Sequence, residues 1–442
     1  MEELRAAGFG EILDKINEVQ REINDLLHHK EVFWHQRSRS IWLPVGDKNT
    51  KYFHQRASQR RKKNTIEGLH DSNGVWCTNT GEIAVIAEAY YKGLFIASTE
   101  LSMEDVLTSV DSVVTEEMAR SLTCSYTEEE VRVALFQMHP SKSPGLDGMS
   151  PFFFQKFWHV VGQDVTVAVL SVLDSGRYLH KMNYTHIMLI PKKKDPQLIT
   201  EYRPINLGNV FSRIISKVLA NRVKPILSGV ISNSQSAFVT NRLITDNTSV
   251  AYEMIHRMRN RQRGKVEHIA IKLDVSKAYD RVEWEFLEKI MLRIGFPEQW
   301  VNLAMLTVRT ASYSIIINGE PCGYVSPSRG TKQGDPLSPY LFLFCAEGFS
   351  SLLRKATETH HLKGLNSCQG GVRISHLFAN DSLLFSEAKT DECRRLMEVL
   401  TQYEKASGQV INRQKTTLFF SRNNTSRDSG KYSVYVWGTS ND

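Results

Sequence analysis

Residues 372–388, VRISHLFANDSLLFSEA, read as two apolar strands joined at Ala379-Asn380-Asp381. A carboxylate at the tip of a rigid hairpin suits metal-ion chemistry on phosphates. Hard cations such as Mg2+ take oxygen ligands and keep positions open for substrate. Asp274 is the second residue of interest. It closes HIAIKLD (268–274), which alternates as a half-buried strand. Alone, an aspartate at a strand end is most often a turn or cap residue. If the two strands are neighbours in one sheet, however, Asp274 and the 380/381 turn converge. Two cations held there can activate an attacking hydroxyl and steady a leaving oxygen in phosphoryl transfer. A third stretch, RGTKQGDPLSP (329–339), places Gly330 and Gly334 where backbone can approach a ligand, and Gln333 offers both donor and acceptor. By spacing alone that stretch is an ordinary turn before a helix.

At 442 residues the chain can bury a sizeable core and hold two or more structural units. Its net charge of +7 mildly favours a polyanionic partner. The distribution of charge says more. Residues 51–63, KYFHQRASQRRKK, carry Lys51, Arg56, Arg60, Arg61, Lys62 and Lys63 and no acid. That fits a solvated basic face or a phosphate-contacting arm. The cysteines are scattered and form no CxxC pair, so neither a zinc site nor a disulfide framework is expected. Without a secretory leader or a long apolar span, an intracellular protein is expected.

Several elements must position these groups. Ile12, Ile16, Val19, Ile23 and Leu27 recur at helical spacing and predict one long packing or coiled helix over 3–36. A short hairpin is expected at 66–76 and a helix at 81–97, with a Ser/Thr- and acid-rich linker at 98–125. Thr127 and Glu130 form a capping box for a helix running towards Met138. A strand at 186–191 ends at Pro191 and the run Lys192–Lys194. Further helices are expected at 209–227, 283–294 and 339–357, and a hairpin at 312–326 about Asn318-Gly319. No internal repeat or low-complexity tract occurs.

In this order the segments resemble the reverse transcriptases of non-LTR retrotransposons, the plant-type long interspersed elements above all. The motifs are GDKNTKYFHQRAS, SKSPGLDG, LIPKKKDPQLITEYRPINL, SAFVTNRLITDN, KLDVSKAYDRVEW, RGTKQGDPLSPYLF, ISHLFANDSLLF and SGQVINRQKT, spread over roughly residues 40–421. The resemblance implies an α+β right-hand polymerase: fingers, then a palm whose antiparallel sheet is backed by helices, after an N-terminal helical extension. The division expected is 1–97 for that extension with its basic arm, 98–125 linker, 126–267 fingers, 268–421 palm and 422–442 an atypical tail. It implies two Mg2+ ions, with Mn2+ as a substitute, held by Asp274, the carbonyl of Val275 and Asp381. Tyr279 would be the aromatic gate against a ribose 2′-hydroxyl. Arg203, assisted by Lys192, would contact the triphosphate. Gln333 and Gly334 would lie against nucleotide and template, and Lys415 would protonate the leaving pyrophosphate. The partners implied are an RNA template, a DNA primer and deoxynucleoside triphosphates, with no membrane. The 51–63 arm becomes an RNA or template contact, and a nuclear site is expected.

The sequence departs from the family at the hairpin. The usual HLLFADD or HLFFADD is HLFAND here, one residue short and one acid fewer. Matching Phe378-Ala379 to the family's Phe-Ala puts Asn380 at the main metal-ligand position and Asp381 at the secondary one. Keeping register from His376 puts Asp381 at the main position instead. A one-residue slip reverses every side chain's face, so the two alignments exclude each other. The first is favoured because SLLF then also matches. Losing one negative charge beside two dications, at about 3 to 5 kcal/mol, would slow the reaction by about 10² to 10⁴. The family's preceding endonuclease and following thumb are not seen in this sequence, so weak duplex grip is expected. Three outcomes stay open: an impaired polymerase, a dead fold that still binds nucleic acid, and a genomic relic.

Overall fold

The computed structural model describes residues 2–38, 50–178, 180–260, 266–366, 373–378 and 382–421, with side chains from residue 13 onward. The strands used below build the two larger sheets and one two-stranded ribbon, β4 with β9: β1 (Tyr184–Pro191), β2 (Tyr202–Leu207), β3 (His268–Leu273), β4 (Val275–Ser276), β5 (Ser312–Ile317), β6 (Glu320–Val325), β7 (His376–Phe378), β8 (Ser382–Glu387), β9 (Val410–Ile411) and β10 (Thr417–Phe420). The helices used below are α1 (Glu2–Ser38), α2 (Thr50–Asn64), α3 (Val210–Val223), α4 (Ile244–Asn260), α5 (Trp284–Ile294), α6 (Ser338–Glu358) and α7 (Thr390–Ser407).

The first sheet has the order β7-β8-β3-β10, and every pairing is antiparallel. β3 is therefore interior, flanked by strands from far downstream. Its residues Ile269, Ile271 and Leu273 join the main core with Phe286 of α5, Phe344 of α6 and Leu400 of α7. Its opposite face is covered as well. Ala270 packs with Phe385, Leu377 and the α4 residues Met254 and Met258. The half-buried strand expected from alternation is thus corrected: α4 covers the second face, and only Lys272 stays exposed. The other sheet has the order β2-β1-β5-β6, with β1 and β5 parallel from Tyr184↔Ser312 to Met188↔Ile316.

The chain divides into two compact units, one of Met1–Ile83, Leu189–Arg203 and Ile317–Glu320, the other of Ala84–Met188, Pro204–Ile316 and Pro321–Asp442. In the first, the end of α1 packs on α2 through His35 against the fully buried Phe53 and Trp34 against His54. Among the described residues the expected stripe finds no cover: Ile16, Val19, Ile23 and Leu27 are all exposed, and the Ile12 side chain lies outside those described. In the same unit the turn residue Asn318 exchanges hydrogen bonds with the backbone of Ile66, at 2.8 and 3.0 Å. Asn318 and Gly319 have φ of 52° and 103°, which is what a tight two-residue hairpin turn requires.

In the second unit the capping box at Thr127 and Glu130 forms as expected. Residues 98–125, expected as a linker, instead carry helices Glu104–Ser109 and Glu116–Thr123, which bury Val106 and Leu122 in the core. Polar composition masked these anchors. Among the described residues no helix is long and apolar enough to cross a membrane.

Candidate active site

Asp274 stands where β3 passes into β4, and the chain fixes it from one side. Its N–H donates to Thr416 Oγ1 at 3.2 Å, and its carbonyl accepts the Asn412 N–H at 2.7 Å. β4 pairs antiparallel with β9, Val275 opposite Ile411. With the ladder bond falling on Asp274, Val275 takes a non-hydrogen-bonded position, so its carbonyl is directed away from β9. The Asp274 carboxylate is half-buried, and among the described residues no hydrogen bond or ion pair engages it. It lines a cavity of about 190 Å3 with Val275, Phe378 and Ser382 on the strand side and Phe342 and Tyr403 on the helix side.

Strand register brings the later hairpin to this point. Ser382 pairs with Leu273, the residue before Asp274, and with Phe378 across the hairpin. The residues between Phe378 and Ser382 are Ala379, Asn380 and Asp381, which lie outside the described residues. The strand that leads into them is clasped. The Phe378 N–H donates to the Ser234 carbonyl at 2.8 Å, and Asn247 Nδ2 donates to the carbonyls of Phe378 at 2.6 Å and Ser234 at 2.8 Å.

Tyr279 follows in the turn after β4. Its half-buried ring stacks on Phe342, centroids 5.0 Å apart and planes 24° from parallel. Burial pushes its phenol pKa up. The loop 329–335 is fastened to this turn. The Tyr279 carbonyl accepts from the Thr331 N–H at 2.8 Å, and the Val282 carbonyl accepts from the Gly330 N–H at 2.7 Å. Gly330 has φ +89°, and a Cβ there would meet the Asp280 carbonyl at 2.6 Å, so the close approach needs glycine. Gln333 Nε2 donates to Asp280 Oδ1 at 3.0 Å, while its carbonyl accepts the Asn206 N–H at 3.1 Å. Gly334, φ +100°, completes the loop. Behind it the buried Lys332 donates to Asn183 Oδ1 at 2.7 Å, and burial pushes its ammonium pKa down.

The second unit thus brings Asp274, Val275, Tyr279, Gln333 and Gly334 together. Lys415 is exposed, but its N–H bonds to Asn412 at 3.2 Å, in the turn hooked on the Asp274 backbone. Lys192, Arg203 and α2 belong to the first unit. Lys192 Nζ donates to the Thr200 carbonyl at 2.8 Å, and Arg203 is exposed on β2. On α2, Lys51, Arg56, Arg60, Arg61, Lys62 and Lys63 are all exposed. Sequence reading missed Asp280, Phe342 and Asn247. Asp280 and Asn247 lie inside the family motifs, but beside polar residues, Arg281 for the one and Asp246 and Thr248 for the other, so no pattern set them apart. Phe342 reads only as one more apolar residue of α6.

Residues 190–434 match the family described as Reverse transcriptase (RNA-dependent DNA polymerase). The "Transposon TX1 uncharacterized 149 kDa protein" of Xenopus laevis is 29% identical over 384 residues, covering 86% of this chain and 29% of its own length. The "Retrovirus-related Pol polyprotein from type-1 retrotransposable element R2" of Nasonia vitripennis is 28% identical over 275 residues, 62% of this chain and 25% of that protein. An uncharacterized mitochondrial protein of Arabidopsis thaliana is 54% identical over 68 residues, 15% of this chain and 56% of that protein. The chain therefore spans less than a third of the length of the first two relatives. The resemblance to non-LTR retrotransposon proteins read from the motifs is borne out by these relatives. With more than half of its residues inside the family match, the chain carries a reverse transcriptase domain and belongs to the reverse transcriptase (RNA-dependent DNA polymerase) family.

Proposed function

We propose that this domain is built to extend a DNA primer on an RNA template with deoxynucleoside triphosphates. The antiparallel β7-β8-β3-β10 sheet serves as the palm, and the segment 126–267 as fingers. The observation that carries the reading is the register Ser382↔Leu273, which sets the strand following the turn beside Asp274. Asp274 fits a hard divalent cation, because its carboxylate, unengaged among the described residues, lines a cavity with the Val275 carbonyl directed away from β9. Asp274, Val275 and Asp381 would hold two Mg2+ or Mn2+ ions, whose chemistry is to lower the pKa of the attacking hydroxyl and stabilise charge on the transferring phosphate. Tyr279, braced by Phe342, excludes a ribose 2′-hydroxyl by the bulk of its ring. Gln333, oriented by Asp280, lies against nucleotide and template, with Gly334 giving the backbone close approach. Arg203 and Lys192 take the triphosphate, and Lys415 supplies a proton to the departing pyrophosphate. The cations of α2 contact template phosphates.

Asn380 decides how well this works. Phe378 closes its strand opposite Ser382, and Asn380 is central among the three residues between them. We place it at the main ligand position, where an amide brings an oxygen but no negative charge. Primer extension on an RNA template with Mg2+ or Mn2+ tests the reading. Extension is expected to be severely slowed, and Asn380→Asp to accelerate it by about 10² to 10⁴. Unimpaired extension by the unaltered chain would refute the role given to Asn380. Asn380 also favours a second reading, a fold that holds nucleic acid without extending it. Salt-dependent binding with no incorporation, even by the Asn380→Asp chain, would select that one.

A further inference from the structure

Phe238 occupies backbone that bulky side chains avoid, with φ of +62°. Such strain persists only where the surroundings over-determine it, and it gathers at functional positions. The neighbouring Gln235, Ser236, Ala237 and Val239 are 5%, 4%, 8% and 4% exposed, whereas Phe238 is 56% exposed. The chain is therefore buried on both sides of a ring that it holds out to solvent. Arg242 does the holding. Its guanidinium donates to four carbonyls, Ser232 at 2.6 Å, Gln235 at 2.8 Å, Ile231 at 3.0 Å and Ser228 at 3.1 Å. Within the loop, Gln235 Oε1 accepts the Ala237 N–H at 3.0 Å.

The loop is also tied to the site. Gln235 bridges Phe378 in parallel pairing, and the Ser236 N–H donates to the Phe378 carbonyl at 3.4 Å. Gln235 lines the same cavity as Asp274. Three residues span at most about 11 Å, so the Phe238 backbone stays within that distance of Gln235. A strand passing the site comes within reach of the ring.

We propose that Phe238 is a stacking platform for an unpaired nucleobase of a strand passing the active site. This rests on the polymerase reading above. Every base has a π-face, so a rigidly displayed ring accepts any of them and reads no sequence. The left-handed backbone keeps the ring from folding back onto its own loop, and the Arg242 clamp keeps that backbone in place.

The test is fluorescence anisotropy of a labelled single-stranded RNA oligonucleotide with the full chain, titrated at several salt concentrations. Phe238→Leu keeps an apolar side chain but no π-face, and is expected to weaken binding on the order of tenfold. The slope of log affinity against log salt stays unchanged, because no phosphate contact is lost. Phe238→Trp retains full affinity. Phe238→Gly relaxes the strained backbone and shows the same loss without a lower thermal midpoint. Unchanged affinity in Phe238→Leu overturns the proposal. A lowered midpoint in both the Leu and the Gly variants overturns it too, as a purely structural ring. Should the unaltered chain bind no oligonucleotide even at low salt, the polymerase reading itself has failed and the platform falls with it.

Discussion

His376, in β7, shows how far one buried ring can control stability. Nε2 sits 2.9 Å from Ser234 Oγ and Nδ1 2.9 Å from Ser375 Oγ. Burial, and then the Arg354 cation, push its pKa down to about 4. A histidine whose folded value lies below its ordinary 6.5 binds protons more readily when unfolded. Its contribution to stability is therefore complete above about pH 6.5, falls as the pH drops, and is gone near pH 4. About 3 kcal/mol is expected to disappear over that window. Urea unfolding at pH 7 and pH 4 measures it, and His376→Asn should flatten the difference. A loss of equal size in His376→Asn would assign the pH dependence to other groups.

At the level of elements, Arg222 of α3 is the clearest fastening. It donates to both Glu130 oxygens at 2.7 and 3.0 Å and to the carbonyls of Leu122, Cys124 and Ser125 at 3.1, 2.6 and 2.9 Å. Its side chain is 5% exposed. Arg222→Ala leaves Glu130 and three carbonyls without their partner and is expected to cost about 3 to 5 kcal/mol by urea denaturation. Arg222→Lys should recover only part of that, because an ammonium lacks the planar fork. Much of this architecture was legible in advance. Capping chemistry announced the helix at Glu128–Phe136, Asn318-Gly319 announced its hairpin, and period-two alternation announced β3. Other helices went unread. Trp158–Ser175 is rich in valine, which has modest helix propensity, although its buried Gly162, Thr166, Val169 and Leu173 already keep helical spacing. α4 begins with Ile, Thr, Asp and Asn, and is held by Met254 and Met258 against β3 rather than by local preference. Of the site, the motifs marked Asp274, Tyr279 and Gln333. Nothing local could show that Phe342 braces one and Asp280 orients another, because those pairings join residues far apart in sequence.

On the scale of the whole molecule, a net charge of +7 gives a polyanion a weak general attraction, and α2 concentrates it. Four of its cations, Arg60, Arg61, Lys62 and Lys63, are consecutive and exposed. If all four meet phosphates of a single strand, replacing them with glutamine should lower the salt slope of binding by up to roughly 3. An unchanged slope would remove α2 from the interface. The interior place of β3 carries one more consequence. Its two partners, β8 and β10, lie over a hundred residues downstream. During synthesis β3 leaves the ribosome long before either exists, and for that interval both its edges are open to other chains. Nascent polypeptides halted short of β10 should be aggregation-prone, and folding of the finished chain should be slow, as befits pairings of high contact order.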